Sequence, residues 1–318
     1  MQTKITDILG IDYPIFQGAM AWISDEDLAS AVSNAGGLGI IGTGNDTAEE
    51  VKVKVERMFT LTDKPFAVNV MLLNPYADEV MAYLVQSGVK IITTGAGNPG
   101  QYMDQINEAG IKLIPVVASV ALAKRMERIG ATAVVVEGME AGGHIGKQTT
   151  MALVPQVVSA VDIPVIAAGG IGDGRGVAAA LMLGAEGVQI GTLFSVAHES
   201  NAHPDFKKAV IKANDIGTAV TGNITGHPVR VLRNNLTKEY LKIEKEITSQ
   251  VTPDIARLDE LGKGALRRAV VEGDVKTGSV MAGQIAGLVS EEKSCHDIIQ
   301  DLISQAKQTY QAKASLFN

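Results

Sequence analysis

Short apolar, β-rich runs recur along the chain. They read YPIFQGAM (13–20), LGIIG (38–42), FAVNVML (66–72), IITTGA (91–96), LIPVV (113–117), AVVVEG (133–138), IPVIAAGG (163–170) and GVQIGTLF (187–194). None alternates strictly between polar and apolar, as expected for parallel strands covered on both faces. Helix-compatible stretches separate them. DEDLASAVSNAGG starts acidic and stops at glycine, and VALAKRMERIGA keeps its apolar residues on one face. NEAG, ERIGA and MLGAEG each place a glycine at a helix end just before the next run. Eight βα units predict an α/β fold of the (β/α)8 TIM-barrel type, with a doubly wound open sheet as the rival. Gly18, Asn69, Gly95, Glu137, Gly169 and Gly191 all fall at or just past strand ends, which is the active face of a barrel.

After residue 195 the rhythm breaks. The expected organisation is a barrel over 1–200, a smaller, mainly helical substrate or lid domain over 201–284, and a C-terminal segment, 285–318, that returns to the barrel as its eighth helix with Ser290 as its cap. GSVMAGQIAGLV (278–289) reads equally as a tight helix packed on the barrel or as a segment turning Met281 and Gln284 toward a ligand.

Composition narrows the class. With 318 residues and 46% hydrophobic side chains the chain has material for a large core. No apolar run approaches the ~20 residues of a membrane span, and the N-terminal MQTKITDILG has no secretory apolar stretch, so a cytoplasmic enzyme is expected. The single cysteine, Cys295, excludes an internal disulfide and reads as a bystander thiol. The histidines lack ligand spacing, so no metal is expected, and a loop or capping role suits His198 and His203. A net charge of −7 disfavours nucleic-acid binding. Residues 204–245 nevertheless carry +4, leaving −11 for the remainder. That stretch is either a solvated face or a docking face for an acidic partner.

The chemistry concentrates in three glycine-rich segments. IAAGGIGDG (166–174) and VQIGT (188–192) follow the seventh and eighth runs. In barrels these two loops commonly build a phosphate site from backbone N–H groups, with glycines that leave the backbone bare and a hydroxyl such as that of Thr192 beside them. EGMEAGGHIG (137–146) sets His144 among four glycines after the sixth run. A flexible loop could fold over a flat ligand and aim an imidazole suited to proton transfer near neutral pH, although a purely structural histidine is the alternative.

YPIFQGAMAW, AGGLGIIG, FAVNVML, EGMEAGGHIG, IPVIAAGGIGDG, GVQIGT, ESNAHP and GSVMAGQIAGLV, in this order between about residues 4 and 290, together resemble the FMN-dependent barrel reductases and nitronate monooxygenases. ESNAHP and GSVMAGQIAG point to the enoyl-acyl-carrier-protein reductase II branch. The resemblance implies FMN, with its phosphate on Gly169, Gly170, Gly191 and Thr192, its ring lined by Gly18, Ala19, Met20 and Asn69, and Ala168 among the cofactor-binding residues. It sets Glu137, Gly142, Gln189, Met281 and Gln284 near the cofactor and His144 as the catalytic residue. It further implies NADH or NADPH as hydride source, a trans-2-enoyl chain on acyl carrier protein as acceptor, and a homodimer, and it leaves room for a monovalent cation. Nitronate oxidation with oxygen is the alternative activity. Lys207, Lys208, Arg230 and Arg233 become candidates for docking the acidic carrier protein.

Overall fold

The apolar runs become strands buried on both faces, and the glycine-terminated stretches between them become the covering helices. The computed structural model describes residues 1–248 and 254–317. In chain order the strands are β1 (Ile15–Gln17), β2 (Gly39–Gly42), β3 (Phe66–Met71), β4 (Ile91–Gly95), β5 (Lys112–Val117), β6 (Val134–Glu137), β7 (Gly143–His144), β8 (Val165–Ala168), β9 (Gly187–Ile190), β10 (Thr218–Thr221) and β11 (Val229–Leu232). All but β7, β10 and β11 form one parallel sheet in the order β1-β9-β8-β6-β5-β4-β3-β2. A parallel bridge between Phe16 and Leu38 joins its two ends, with Gln17 N–H donating to Leu38 O at 3.0 Å and Leu38 N–H to Ile15 O at 2.9 Å. The sheet is therefore a closed (β/α)8 barrel.

Its interior is a packed core. Phe16, Leu38, Ile40, Ala67, Ile114, Val135 and Ile166 are buried inside, and Ile5 and Leu9 of the helix Lys4–Leu9 pack into the same cluster. The helices begin and end as the sequence indicates. Asp25 caps Glu26–Asn34 by accepting from Leu28 N–H, and Ser119 does the same for Val120–Arg128 through Leu122 N–H. Gly110, Gly130 and Gly184 follow helix ends with φ of 63°, 94° and 94°, the left-handed turn that glycine adopts most readily.

The last helix, Cys295–Ala314, packs against Gly174–Met182 on one side and Glu26–Asn34 on the other, which is the eighth helical position of the barrel. Its cap is Ser294, whose side chain accepts from Asp297 N–H, and not Ser290. Serine caps where its oxygen reaches the N–H three residues on, and the helix starts one turn later than the apolar pattern suggests.

The insertion after the last barrel strand is mainly helical, as expected, and also contains two short strands. β10 and β11 form an antiparallel hairpin, and β11 also pairs antiparallel with β7 to give a three-stranded sheet. The helices Asn235–Thr248, Ala256–Gly262 and Ala265–Val270 follow, and Ile243, Ile247 and Leu258 make a small core of their own.

The contact between the terminal helix and the barrel is close enough to test. A methyl group added at Gly174 would lie 2.5 Å from Ala306 N and 2.6 Å from Leu302 O, both backbone atoms that cannot step aside. Gly174→Ala is expected to cost at least about 2 kcal/mol through overpacking, read as a melting temperature several degrees below that of the parent protein.

Candidate active site

Strand register decides which side chains meet at the barrel mouth. Phe16 stands beside Gln189, Gln189 beside Ala168, and Ala168 beside Glu137. Neighbours in a parallel ladder share a face, and Phe16 and Ala168 belong to the interior cluster, so Glu137 and Gln189 also point inward. On the other side Asn69 lies two residues beyond the inward-facing Ala67 and donates from Nδ2 to Thr93 Oγ1 at 2.9 Å. The inward rows are apolar below and end in polar or small residues at the top, which makes a polar floor over a dry core.

Glu137 is the most perturbed group of this floor. Protein surrounds it, yet its side chain keeps some accessible surface, as a group lining a recess does. Desolvation pushes its pKa up to about 7.

The loop after β1 is braced from within. Gln17 is fully buried; its Nε2 donates to Gly18 O at 2.6 Å and Ser24 Oγ at 2.8 Å, and its Oε1 accepts from Ile40 N–H at 3.1 Å. Gly18 N–H donates to Ile190 O at 2.8 Å, so the ends of β1 and β9 are stitched together. A β-carbon at Gly18 would lie 3.4 Å from Gln189 Cγ, and one at Gly191 would lie 3.6 Å from Met20 Sδ. Gly18, Met20, Gln189 and Gly191 thus share one corner of the mouth, with Ala19 between them.

The loops after β8 and β9 form the adjoining corner. Gly169 and Gly170 take φ of 91° and 70° in succession, a backbone conformation that other residues rarely adopt. Thr192 Oγ1 accepts from Gly283 N–H at 2.9 Å, so its own O–H is left to donate elsewhere. Residues 281–283 lie across this corner. Met281 bridges Val231 of β11, and its Sδ would lie 3.6 Å from a β-carbon at Gly143. GSVMAGQIAGLV is not one tight helix: the chain is extended at Gly283, and a short 3-10 turn, Gln284–Leu288, follows. Gln284 binds through its main chain, N–H to Glu140 O at 2.9 Å, while its side chain is exposed.

His144 sits differently from its expected place in a flexible loop. It is held in β7, opposite Val229, and Ile145 N–H donates to Pro228 O at 3.0 Å. The surrounding glycines permit close packing: a β-carbon at Gly142 would lie 2.6 Å from the carbonyl carbon of Ala282, and one at Gly146 would lie 2.6 Å from Ala118 Cβ. The imidazole is exposed at the rim, and partial desolvation followed by the nearby charge of His227 holds its pKa below the usual histidine value. It is therefore mostly neutral at pH 7.

Sequence reasoning passed over Glu140 and Thr150. The Glu140 carboxylate accepts from Thr150 N–H at 3.0 Å, and the Thr150 hydroxyl lies 3.0 Å from that carboxylate and 2.9 Å from Gly169 O. Nothing local in the chain marks a pair ten residues apart as partners.

Two of the four docking candidates are excluded by burial. Lys207 is 6% exposed, with Nζ donating to Ala197 O at 2.7 Å, and Arg230 is 4% exposed, bonding Met139 O at 3.0 Å and Thr218 Oγ1 at 3.1 Å. Their charges serve the inside of the fold, whereas Lys208 and Arg233 remain exposed. His203 caps the helix Pro204–Ile211 by accepting from Asp205 N–H at 3.1 Å. Cys295 is buried, and desolvation, with the neighbouring Glu199 charge, raises its thiol pKa, which makes it unreactive.

A barrel with glycine loops after its last two strands, and a polar floor beneath them, has the arrangement in which barrel enzymes frequently bind a phosphate group. The nitronate monooxygenase family model matches residues 2–84 and 74–305. FabK from Thermotoga maritima has a similar structure, with a TM-score of 0.95 and 46% identity over 99% of both chains. A probable nitronate monooxygenase from Staphylococcus saprophyticus is 32% identical over 97% of this chain and 98% of that protein. A (3aS,4S,5R,7aS)-5-hydroxy-7a-methyl-1-oxo-octahydro-1H-indene-4-carboxyl-CoA dehydrogenase from Mycobacterium tuberculosis is 31% identical over 99% of both. The chain belongs to the nitronate monooxygenase family and is an FMN-type oxidoreductase. The residues present fit that cofactor. In the glycine cradle, Gly169 and Gly170 turn left-handed against Gly138 O and Glu140, Gly191 faces Met20 Sδ, the Thr192 O–H can donate, and a β-carbon at Gly95 would meet nothing within 4 Å across the mouth.

The raised pKa of Glu137 has a stability consequence. The folded protein keeps this proton up to about pH 7, whereas an unfolded glutamate loses it near pH ~4.3. Between those limits the folded state binds more protons, so stability falls as pH rises, by up to roughly 3 kcal/mol. Glu137→Gln should remove that slope. Melting curves of the cofactor-free proteins between pH 5 and 8 should diverge upward for the variant.

Proposed function

We propose that this protein reduces trans-2-enoyl-acyl-carrier-protein to acyl-carrier-protein with NADH or NADPH, through FMN, in type II fatty acid elongation. The observation that carries the reading is the likeness to FabK: 46% identity over 99% of both chains, against 31–33% for the nitronate monooxygenase and CoA dehydrogenase relatives. Bound FMN would supply hydride chemistry between a nicotinamide and a conjugated thioester. The chain supplies position and electrostatics. Gly169, Gly170, Gly191 and Thr192 would hold the phosphate, and Gly18, Ala19, Met20, Asn69, Gln189 and Met281 would shape the ring pocket beside Glu137 and Gly142.

His144 stands at the rim, where a thioester would enter. Held neutral, its imidazole has one N–H to offer. Donated to the thioester oxygen, it would stabilise the negative charge that develops when hydride reaches the β-carbon. β-Strand pairing on β11 and the glycine contacts fix the backbone that carries the ring, as a positioned donor requires. The exposed Lys208 and Arg233 suit docking of an acidic carrier protein.

The family model and the 32% identical relative support a second reading, oxidation of alkyl nitronates with oxygen. Anaerobic addition of NADH separates the two: bleaching of the flavin followed by recolouring with crotonyl thioester supports the reductase, and no bleaching supports the monooxygenase. His144→Ala should slow enoyl reduction about 10²–10⁴-fold while flavin absorbance is retained. An unchanged rate would make His144 structural. Charge reversal at Lys208 and Arg233 should raise KM for the carrier-bound substrate by about two- to fivefold per charge, the size of an exposed ion pair. KM for a small thioester should stay put; an equal rise for both substrates would refute the docking role.

A further inference from the structure

The loop after β1 presents an aromatic side chain that the chemistry above leaves unused. Trp22 is the single tryptophan of the chain, and its φ is 67°. A bulky residue in left-handed backbone is an outlier, and it persists only where the surroundings over-determine it. Here they do. Met20 N–H donates to Ser24 Oγ at 2.8 Å, while Ile23 and Ser24 N–H return to Met20 O at 3.1 and 2.9 Å. The strain does not serve packing, because the indole is 52% exposed. Arg267, on the helix Ala265–Val270, places its guanidinium 5.9 Å from the ring centroid. Arg267 is itself half exposed and shares part of its fork with Glu272. Trp22 is two residues from Met20, whose sulfur faces Gly191 at the mouth. The pair therefore stands beside the cofactor corner, with one partner from the barrel and one from the insertion.

We propose that Trp22 and Arg267 form a subsite for an adenosine diphosphate group. The adenine would stack on the open indole, and the diphosphate would take the guanidinium donors that Glu272 leaves free. Stacking on an indole needs a flat π-system and tolerates water at the edges, which suits an exposed ring. A guanidinium adds cation–π attraction on the ring and bidentate bonding to phosphate. Two substrates could bring this group, a nicotinamide dinucleotide or a coenzyme A thioester. The location of the subsite rests on the flavin-oxidoreductase reading of the mouth, but its occupancy is measurable without turnover.

Because the chain has one tryptophan, its emission reports on this position alone. Titration of the holoprotein with ADP-ribose, which has no nicotinamide to react, should quench that emission saturably, and nicotinamide mononucleotide should not. Arg267→Ala should raise the Kd roughly tenfold. By calorimetry Trp22→Ala should weaken ADP-ribose binding by a similar factor, roughly tenfold, with Trp22→Phe restoring most of it. Displacement of ADP-ribose by NADH but not by coenzyme A assigns the subsite to the hydride donor, and the converse assigns it to the thioester. Unchanged emission with both ADP-ribose and coenzyme A overturns the proposal, as does wild-type affinity in both the Trp22 and Arg267 variants. Intact ADP-ribose binding in a protein that fails to reduce enoyl thioesters would overturn the reductase reading and leave the subsite standing.

Discussion

The barrel closes on a strand of three residues, and the mouth depends on that closure. β1 must seal β9 to β2, and with only Ile15–Gln17 it has few backbone hydrogen bonds to do so. The buried amide of Gln17 supplies the remainder by bonding Ile40 N–H, Gly18 O and Ser24 Oγ. A buried amide is costly unless satisfied, and a satisfied one fixes a single arrangement. Once β1 is fixed, Phe16, Gln189, Ala168 and Glu137 must stand side by side. The same brace holds the loop that carries Met20 and Trp22.

A second set of contacts ties the insertion to the glycine cradle. Arg230 of β11 bonds Met139 O, the neighbouring Glu140 holds Thr150, and the Thr150 hydroxyl reaches Gly169 O. Gly283 and Gln284 close the circuit through Thr192 Oγ1 and Glu140 O. The hairpin that fixes His144 and the loops that would fix a phosphate are therefore parts of one hydrogen-bonded body. The backbone that carries His144 is held relative to the cradle by this body rather than by loop flexibility.

This scaffold serves more than one chemistry, since relatives at similar identity carry the names of a monooxygenase and of a CoA dehydrogenase. Barrels change reaction by changing what surrounds a constant anchor. In this chain the segment between Ile211 and Ser279 contributes the hairpin behind His144 and the helix bearing Arg267, both beside the glycine loops and the polar floor.

The barrel was legible in the chain because βα units are local. Apolar runs, capping residues such as Asp25 and Ser119, and glycines after helices each act within a few residues. Gly169, Gly170 and Gly191 could be read for the same reason, as glycines just past a strand end. The hairpin of β10 and β11 has a trace in GNITGHP between two β-branched runs, but with only four residues in each strand the signal is weak. Other features had no local trace. Burial of Lys207 and Arg230, the Glu140–Thr150 pairing, the strand that holds His144, and the meeting of Trp22 with Arg267 across 245 positions all arise from contacts between distant segments. Amino-acid sequence alone determined the periodicity of the βα units and the glycines at their ends; the packing of the insertion onto the barrel decided which charges are buried, which strand carries His144 and which surfaces remain open.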